Sequence, residues 1–404
     1  MTALQLAVPA WAGPVAQTAP LPLSACTDCR QARPAVAGSP GGFLVVWEGS
    51  SESDPKGIDG RFFNGAGTPV SADFQVNRDV VAPDQYDVAV ARDVKGNFIV
   101  VWSAVANGNS DIMAKKLQAD GVPVGAAFKV NQDPPGTPTV PADFNPMVAG
   151  TSDGGFIVAW INELPASATF PGTTPQVLAR RFNATGAPLG TQLKLSTGLV
   201  NGDRPDVCVD STGRPVVVWT SVDAFRPFEA SRNGVSLRNL SAKGVLSGSR
   251  ETVVAAPTAG SVRAAVSCGT GGTFVVVWHS DQAPGGEGTD ILGQRFNKQG
   301  KKVGAVFRAN AVAAGLQQNP AVQHDAKGSF VVVWQSSQGS QAGIFGRRFT
   351  AGGTATGPDF EVVSGAQNGV APANPDVSHL GTASNFVVVW QAGAEAIFGR
   401  LFAP

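Results

Sequence analysis

Four cysteines are the residues of this sequence whose type and spacing most directly suggest chemistry. Cys26 and Cys29 enclose two residues in the stretch CTDC, a spacing used by disulfides, metal half-sites and, with a histidine next in the chain, haem attachment. The sequence has neither a second pair at metal-ligand spacing nor that histidine. We therefore predict a disulfide between Cys26 and Cys29, of the kind that exported proteins carry.

The other two cysteines, Cys208 and Cys268, fall on short strands in neighbouring copies of a repeat that is described below. They follow Val207 and Val266 by one and two residues, so their side chains should point to opposite faces of their sheets. Opposite faces of adjacent sheets meet, and a disulfide is geometrically possible if the Cα atoms approach within about 7 Å. We favour two buried free thiols, with a disulfide between Cys208 and Cys268 as the alternative.

Two histidines could join Cys268 in a metal site. His324 and His379 occupy the equivalent position in the next two repeats, two residues after a strand valine. Cysteine and histidine are zinc ligands, but no column of carboxylates accompanies these three residues. We therefore predict no metal site and no cofactor.

No group of residues stands out as catalytic. The sequence has no conspicuous Ser/His/Asp combination and no phosphate-binding loop, and His279 has no candidate nucleophile near it. Catalytic residues can also come together from loops that are far apart in the sequence. We name no catalytic residue and leave enzymatic activity open, with a non-catalytic protein favoured.

A repeated segment organises the whole chain and must position all of these residues. Seven of the eight tryptophans close an apolar run such as GGFLVVW, and neighbouring copies are 55 to 59 residues apart. A shorter strand precedes each run, a strand such as GIFGRRF follows it, and six copies continue with a fourth strand such as ADFQVN. The seven residues are Trp47, Trp102, Trp160, Trp219, Trp278, Trp334 and Trp390.

Four short antiparallel strands in about 50 residues are the signature of a propeller blade. We therefore predict an all-β fold, a single seven-bladed β-propeller over residues 1–404 with four antiparallel strands per blade. The seventh copy lacks its fourth strand, and Thr2–Val8 (TALQLAV) matches the missing one. We predict that residues 2–8 complete the last blade and close the ring, which removes exposed sheet edges, and that residues 9–32 form a long connection.

Composition narrows the classes of partner. Of the 404 residues 43% are hydrophobic and 15% are charged, and 30 basic residues balance 30 acidic ones. A neutral chain of this kind lacks the basic stripe of a nucleic-acid-binding protein. The sequence has no run of 18 or more apolar residues, so it predicts no membrane-spanning helix. LSAC, which ends at Cys26, resembles a lipoprotein cleavage box, but residues 1–25 contain no Lys or Arg, so we do not favour lipid anchoring.

Two recurring columns are predicted to be structural. Each repeated tryptophan should pack between neighbouring blades, together with the phenylalanine that precedes it by four residues in six copies. A basic residue recurs on the third strand, and we expect it to make hydrogen bonds between blades. This column comprises Arg61, Lys115, Arg180, Arg238, Arg347 and Arg400, with Gln294 in the fifth copy.

The loops between the second and third strands are unequal, and the longest belong to blades 3, 4 and 5. They should emerge at the same end of the ring as the connections between blades. Insertions at one end of a scaffold are where binding sites usually lie. The predicted partner-binding residues in these loops are Phe170, Phe225, Arg226, Phe228, Glu229 and Arg232.

The pattern GGFxVVW…GIxGRRF…G…FxVN resembles a family of seven-bladed propellers in secreted or surface-attached bacterial proteins. The resemblance implies an exported scaffold, extracellular, at the cell surface or periplasmic, and carries no catalytic residues. We expect a non-catalytic scaffold that binds a protein partner through the long-loop face. The alternative is a carbohydrate-binding or polysaccharide-cleaving propeller with a single site on that face. A lectin site in every blade is disfavoured, because the repeated tryptophans are assigned to the core and the chain has one tyrosine, Tyr86.

Overall fold

The computed structural model describes residues 13–27, 29–50, 56–80, 82–106, 108–132, 142–164, 174–197, 204–222, 232–248, 252–259, 263–281, 288–337, 342–366, 369–381, 384–393 and 395–404. Strands are numbered in chain order, and the seven sequence copies are called repeats 1 to 7. One short 3-10 helix, Thr270–Gly272, lies among the described residues.

Each repeat begins with a strand that lines the centre of the molecule and continues with a second, apolar strand. The first strands are β3 (Gln31–Ser39), β7 (Asp84–Arg92), β11 (Ala142–Gly150), β15 (Asp206–Val209), β19 (Ala264–Cys268), β23 (Gly315–His324) and β27 (Pro372–His379). The second strands are β4 (Gly42–Gly49), β8 (Phe98–Ala106), β12 (Phe156–Leu164), β16 (Pro215–Val222), β20 (Phe274–Ser280), β24 (Phe330–Ser336) and β28 (Phe386–Ala392).

The third and fourth strands lie progressively further from the centre. The third strands are β5 (Gly57–Asn64), β9 (Asn109–Leu117), β13 (Thr174–Phe182), β17 (Arg232–Asn239), β21 (Gly288–Phe296), β25 (Gly343–Phe349) and β29 (Ile397–Ala403). The outermost strands are β1 (Val15–Ala16), β2 (Leu21–Pro22), β6 (Phe74–Gln75), β10 (Phe128–Lys129), β14 (Leu193–Lys194), β18 (Thr252–Ala259), β22 (Lys302–Arg308) and β26 (Phe360–Ser364).

Within each repeat the strands pair antiparallel in chain order, and the first strands contact one another around a closed ring in which β27 meets β3. The second strand is covered on both faces by neighbouring sheets, which explains its unbroken valine and isoleucine runs. The chain is therefore an all-β β-propeller with four antiparallel strands per repeat, as predicted.

The prediction of seven separate blades is wrong. Hydrogen bonding divides the strands into five separate sheets of four or five strands and one eight-stranded sheet, which gives five discrete blades. In the eight-stranded sheet, β21 of repeat 5 pairs in parallel with β23 of repeat 6 through Gly288 and Gly315. A Cβ on Gly288 would lie 2.4 Å from the Gly315 carbonyl oxygen, so only glycine permits the approach that joins these two repeats.

The predicted closing strand, residues 2–8, lies outside the described residues. Among the described residues, β1 and β2 pair with β29. The backbone N–H of Leu23 donates to the Ile397 carbonyl over 3.0 Å, as Val76 does to Ile58 in repeat 1. Leu23 is fully buried and packs against Gly399, so the segment 15–23 fills the place of the fourth strand in the last repeat.

The core consists of layers between neighbouring sheets. Trp102, for example, packs with Leu44 and Val46 of the preceding repeat, and the seven repeated tryptophans are at most 3% exposed. Phenylalanines of the second and third strands stack in pairs, as Phe156 does on Phe182 with ring centroids 4.9 Å apart. The structural interpretation of the tryptophan column is confirmed.

The basic column joins neighbouring repeats as predicted. Arg180 donates to the Val130 carbonyl, Arg238 to the Leu195 carbonyl and Arg347 to the Ala309 carbonyl, each in the repeat before. Gln294, which replaces the basic residue in repeat 5, donates to carbonyls of its own repeat at Arg295, Val303 and Gly304. These side chains satisfy backbone acceptors and are not available as an anion-binding ring.

Both cysteine pairs are disulfides. Cys26 is bonded to Cys29, as predicted. Cys208 is bonded to Cys268 across repeats 4 and 5, with Cα atoms 5.6 Å apart, so the favoured interpretation of two free thiols is wrong and the alternative is correct. The two side chains leave facing sheet surfaces, as expected because Cys208 follows its strand valine by one residue and Cys268 follows its own by two. Disulfides of this kind are typical of oxidising compartments.

Candidate functional site

The predicted partner-binding residues cannot be assembled into a site. Phe170, Phe225, Arg226, Phe228 and Glu229 lie outside the described residues. Arg232 begins strand β17, where its backbone pairs with Ala259, and nothing is described of its side chain. A binding site on these loops therefore stays a prediction, and the described residues point to a different place at the same end of the ring.

A cavity of about 340 Å³ opens on the axis, where the first strands begin. Its walls carry a charged or amide side chain from most repeats, each at the start of the first strand. These residues are Arg33, Asp87, Asn145, Arg204, Arg263, Asn319 and Asn374. Because these strand starts receive the connections from the preceding repeats, the cavity lies at the end of the ring to which the long loops were assigned.

A repeated backbone feature supports this ring of side chains. Arg33, Asp87, Asn145, Asn319 and Asn374 all have φ between 47° and 58°, and the register of the first strand shifts at each of them. Bulges of this kind redirect a side chain, and left-handed backbone is unfavourable for residues other than glycine, asparagine and aspartate. Asparagine or aspartate occupies four of these five positions, so the strain falls on Arg33, and strained residues cluster at functional sites.

A second cavity of about 380 Å³ adjoins the first, towards the outside of repeats 1 and 2. The two share Arg33, Asp87 and Asn145 in their walls, and we call the combined space the axial funnel. The outer cavity adds the side chains of Arg30, Glu48, Lys56, Asp84, Gln85 and Tyr86. The Cys26–Cys29 disulfide directly precedes Arg30, so it fixes the chain that supplies one wall.

Two aspartates line the axial cavity at equivalent positions in repeats 4 and 7. Asp206 accepts hydrogen bonds of 2.8 Å from the backbone N–H groups of Val207 and Val266. Asp376 makes the same pair of bonds, at 2.9 Å, to Val377 and Val36. Each carboxyl therefore joins two neighbouring repeats around the channel.

Burial changes the protonation of both carboxyls. It raises the pKa of Asp206 to about 6, and the charge of Asp376 adds to this shift while the backbone hydrogen bonds oppose it. Burial also raises the pKa of Asp376, against hydrogen bonds and the charges of Arg204 and Arg263. A carboxyl with a pKa near 6 can give and take a proton at mildly acidic pH.

The outer cavity contains a buried acidic cluster capped by arginine. Glu48 accepts a 2.7 Å hydrogen bond from the backbone N–H of Asp87, and Arg33 bonds to the Asp87 carboxylate and lies 3.5 Å from Glu48. Burial raises the pKa of Glu48, and the charge of Arg33 opposes that shift. Asp87 also accepts from the backbone N–H of Asn145, so three repeats are connected through this cluster.

Arg204 projects into the axial cavity and reaches its opposite wall. Its guanidinium donates a 2.6 Å hydrogen bond to the Val88 carbonyl, from repeat 4 to repeat 2. Beside it, His279 accepts a 3.3 Å hydrogen bond from the backbone N–H of Arg263 through Nδ1. The floor of the funnel is therefore polar and contains both positively charged arginines and acidic side chains.

The histidine column lies at the other end of the first strands. His324 contacts the Ser267 hydroxyl over 3.0 Å through Nδ1, and burial lowers its pKa to about 4. Cys268 is in a disulfide and cannot serve as a thiolate ligand. Within the described residues no group of three His, Cys, Asp or Glu side chains is arranged to hold a metal ion. No helix in the same part of the chain is long and apolar enough to cross a membrane.

The funnel residues have a sequence signal that the analysis of motifs passed over. The first strands begin with RPAV, DVAV, NPMV, RPDV, RAAV, NPAV and NPDV, a polar residue three positions before a strand valine. This column marks the residues at the mouth of the cavity. In the same alignment Asp206 and Asp376 stand where the other repeats have alanine or methionine.

Comparisons with known proteins support the fold. No protein-family model matches the chain, and no curated protein matches it. A protein of unknown function from Dyadobacter fermentans is 14% identical with a TM-score of 0.53, over 79% of this chain and 94% of that chain. The α-L-arabinanase of Penicillium chrysogenum, solved with arabinobiose, is 14% identical with a TM-score of 0.52, over 96% of this chain and 98% of that chain.

A puromycin hydrolase is also similar, at 13% identity and a TM-score of 0.54 over 90% of this chain, which corresponds to half of that protein. These likenesses establish a shared propeller fold. At such low identity they transfer no activity to this chain.

Proposed function

We propose that this chain is a carbohydrate-active propeller that binds a single glycan in the axial funnel. The observation that carries the proposal is the funnel itself, a concave site on the ring axis with converging arginine, asparagine and carboxyl side chains. Such groups donate and accept the hydrogen bonds that sugar hydroxyls require. The arabinanase with a similar fold was solved with a bound disaccharide, which is consistent with a propeller of this size accommodating a sugar chain.

The funnel replaces the long-loop surface as the basis for a function. A protein partner held by the loops of repeats 3 to 5 would depend on residues outside the described part of the chain. The funnel lies at the same end of the ring, so a glycan site there agrees with the alternative that the sequence left open. We also propose export to an extracellular or cell-surface location, supported by the two disulfides.

Blocking the funnel should test binding directly. Ala321 is a small, half-buried residue in the wall of the axial cavity, so Ala321→Phe should fill part of the space and reduce glycan affinity at least tenfold. Leu189→Phe, at an exposed position on the outer edge of repeat 3, is the matched control and should bind normally. Binding would be measured by calorimetry with ligands selected on a glycan array. Unchanged binding by Ala321→Phe would place the site elsewhere.

Cleavage of the bound glycan is a second candidate, and the carboxyl pair favours it. Glycosidases use two carboxyls, one of which must be protonated at the working pH, and Asp206 meets that condition near pH 6. Five of the seven first strands have alanine or methionine at this position, so neither aspartate is required merely to hold neighbouring strands together.

Asp206→Asn or Asp376→Asn should therefore lower the release of reducing sugar from a bound polysaccharide at least a hundredfold while glycan affinity changes little. Release would be followed across pH 4 to 8. Full release by both variants would exclude this pair from catalysis, and release by neither variant nor the unmodified protein would leave a binding protein.

A further inference from the structure

The funnel is lined by more than one kind of charge, and the charges lie at different depths. Five basic residues take part in its walls: Arg30, Arg33, Lys56, Arg204 and Arg263. They come from three of the seven repeats, and three of them occupy the equivalent position at the start of a first strand. A ligand that enters the funnel therefore meets cations on several sides.

Two acidic residues of the outer cavity, Glu48 and Asp87, lie beneath the basic residues Arg30 and Arg33. The side chains of Arg30 and Arg33 are 53% and 52% exposed, whereas those of Glu48 and Asp87 are 8% and 7% exposed. Glu48 and Asp87 are also engaged by backbone N–H groups, of Asp87 and Asn145 respectively. The surface that a ligand would touch is consequently guanidinium, while the carboxylates hold those guanidinium groups in place.

The same layering is present on the axis. Asp206 and Asp376 direct both carboxyl oxygens to backbone N–H groups of the channel wall. Burial raises the pKa values of both, so at mildly acidic pH they carry less negative charge. Arg204 and Arg263 bring two guanidinium groups to the wall of the same cavity.

We propose that the funnel takes an acidic oligosaccharide, one whose carboxylate or sulfate groups pair with Arg30 and Arg33 in the outer cavity and with Arg204 and Arg263 on the axis. The proposal deepens the proposed function and rests on it. Planar guanidinium groups bind carboxylate and sulfate in a bidentate manner, which lysine cannot do. The two cavities adjoin and share three wall residues, so a ligand that occupies both extends over more than one sugar unit.

Lys56, a basic residue of the outer cavity, has an exposed acidic partner and marks the outer limit of the site. Lys56 forms a 2.5 Å ion pair with Asp84, whose side chain is 41% exposed. The opposite charges of Lys56 and Asp84 largely cancel, so this pair attracts an acidic ligand only weakly. The acidic groups of the ligand should therefore be bound between Arg30 and the axis, and not beyond Lys56.

The test compares three ligands of equal length with the full chain: a polyuronide oligosaccharide, a sulfated oligosaccharide and a neutral oligosaccharide. We expect at least one acidic ligand to bind ten times or more tightly than the neutral one, and its affinity to fall as salt is raised from 50 to 500 mM. The carboxylate and sulfate arms identify which anion the arginines accept. Tight binding at low salt that does not weaken with salt would contradict ion pairing.

Arg30→Gln removes one exposed guanidinium whose nearest acidic atom is 4.0 Å away, so it should leave the fold intact. It should weaken acidic ligands about five- to tenfold and the neutral ligand by less than about twofold, because glutamine keeps a hydrogen-bond donor but loses the charge. Lys243→Gln is the matched control, an exposed lysine on a turn that follows a third strand, at the opposite end of the ring. If both substitutions lowered the affinity for acidic ligands equally, the effect would come from the net charge of the protein and not from Arg30, which would overturn the proposal.

The outcomes separate this inference from the function on which it rests. Equal affinity for acidic and neutral ligands, with both lost in Ala321→Phe, would keep the glycan site and reject its charge preference. Binding of acidic ligands that neither Ala321→Phe nor Arg30→Gln reduces would reject the funnel for both. No binding of any of the three ligands would overturn both proposals.

Discussion

At the scale of single residues, the chemistry of this protein depends on side chains that the fold places in unfavourable surroundings. Asp206 is the clearest example: its carboxyl lies on the channel wall, and burial raises its pKa to about 6. The pKa of aspartate in an unfolded chain is about 3.9. Folding therefore favours the protonated form between these two values, and the consequence for stability has a definite sign.

Asp206→Asn should reveal that sign. The stability that a proton on Asp206 contributes is fully present below about pH 4 and is lost as the pH rises through about 6. Asparagine does not titrate, so the stability of the variant relative to the unmodified protein should rise between pH 4 and pH 7 by on the order of 2 kcal/mol, less where channel water screens the charge. Urea denaturation at several pH values measures this difference.

Leu189→Asn is a suitable reference for that experiment, since it changes an exposed side chain and removes no titrating group. Its stability difference should not depend on pH. A flat difference for Asp206→Asn as well would mean that the carboxyl is as well solvated in the folded protein as in the unfolded chain.

Sequence reasoning reached the single residues only in part. It predicted the Cys26–Cys29 disulfide because the sequence has neither a second cysteine pair at metal-ligand spacing nor the histidine of a haem-attachment motif. It could not choose between thiols and a disulfide for Cys208 and Cys268, since that choice depends on a Cα distance. It passed over Arg33 and Asn145 because their role depends on a bulge that turns the side chain inward, and periodicity does not reveal a bulge.

At the scale of elements, the strands follow from the pattern of apolar residues, and their partners follow less surely. The second strand of each repeat is buried on both faces and could be read directly from runs such as FVVVW. The outermost strand pairs over two residues in several repeats and carries little pattern. TALQLAV and LPLSA both resemble it, and the structure shows that Leu21 and Pro22 of the second segment pair with β29.

Leu23→Ala should destabilise the protein by about 2–5 kcal/mol, the usual result of removing a fully buried leucine side chain. Leu23 lies between the first and the last repeat, in a cluster with Phe43 and Leu401. The loss therefore falls on the seam where the ring closes. The free energy of unfolding from denaturant titration provides the measurement.

The exposed Leu189→Ala should change the free energy of unfolding by less than about 0.5 kcal/mol and serves as the comparison. A similarly small effect of Leu23→Ala would mean that the segment 15–23 does not hold the seam.

At the scale of the whole molecule, the repeats predicted the ring but not its division into sheets. Seven copies of one motif suggested seven equivalent blades, yet repeats 5 and 6 share an eight-stranded sheet. The cause is local: Gly288 and Gly315 let two backbones approach, and the Thr289 hydroxyl donates to the Gln317 carbonyl over 2.8 Å. Contacts that occur in one pair of repeats are invisible to an argument from what the repeats have in common.

The two disulfides should differ in how strongly they stabilise the ring. In the chain-entropy description a disulfide stabilises by restricting the unfolded chain, more so for longer loops. Cys208–Cys268 encloses a separation of 60 residues and links two repeats, whereas Cys26–Cys29 encloses a separation of 3. The expected contributions are about 4 kcal/mol for the first and about 2 kcal/mol for the second.

Cys208→Ala with Cys268→Ala should therefore cost about twice as much free energy of unfolding as Cys26→Ala with Cys29→Ala. Both double variants would be compared by denaturant titration without reductant, and the unmodified protein with reductant should approach the variant that lacks both pairs. The Cys208–Cys268 disulfide also holds repeat 4 against repeat 5. It lies close in the chain to Asp206, whose carboxylate accepts a hydrogen bond from the backbone N–H of Val266. Loss of this disulfide should therefore also weaken glycan binding in the funnel. If the two double variants lose equal free energy of unfolding, the stability comes from local packing and not from the link between repeats.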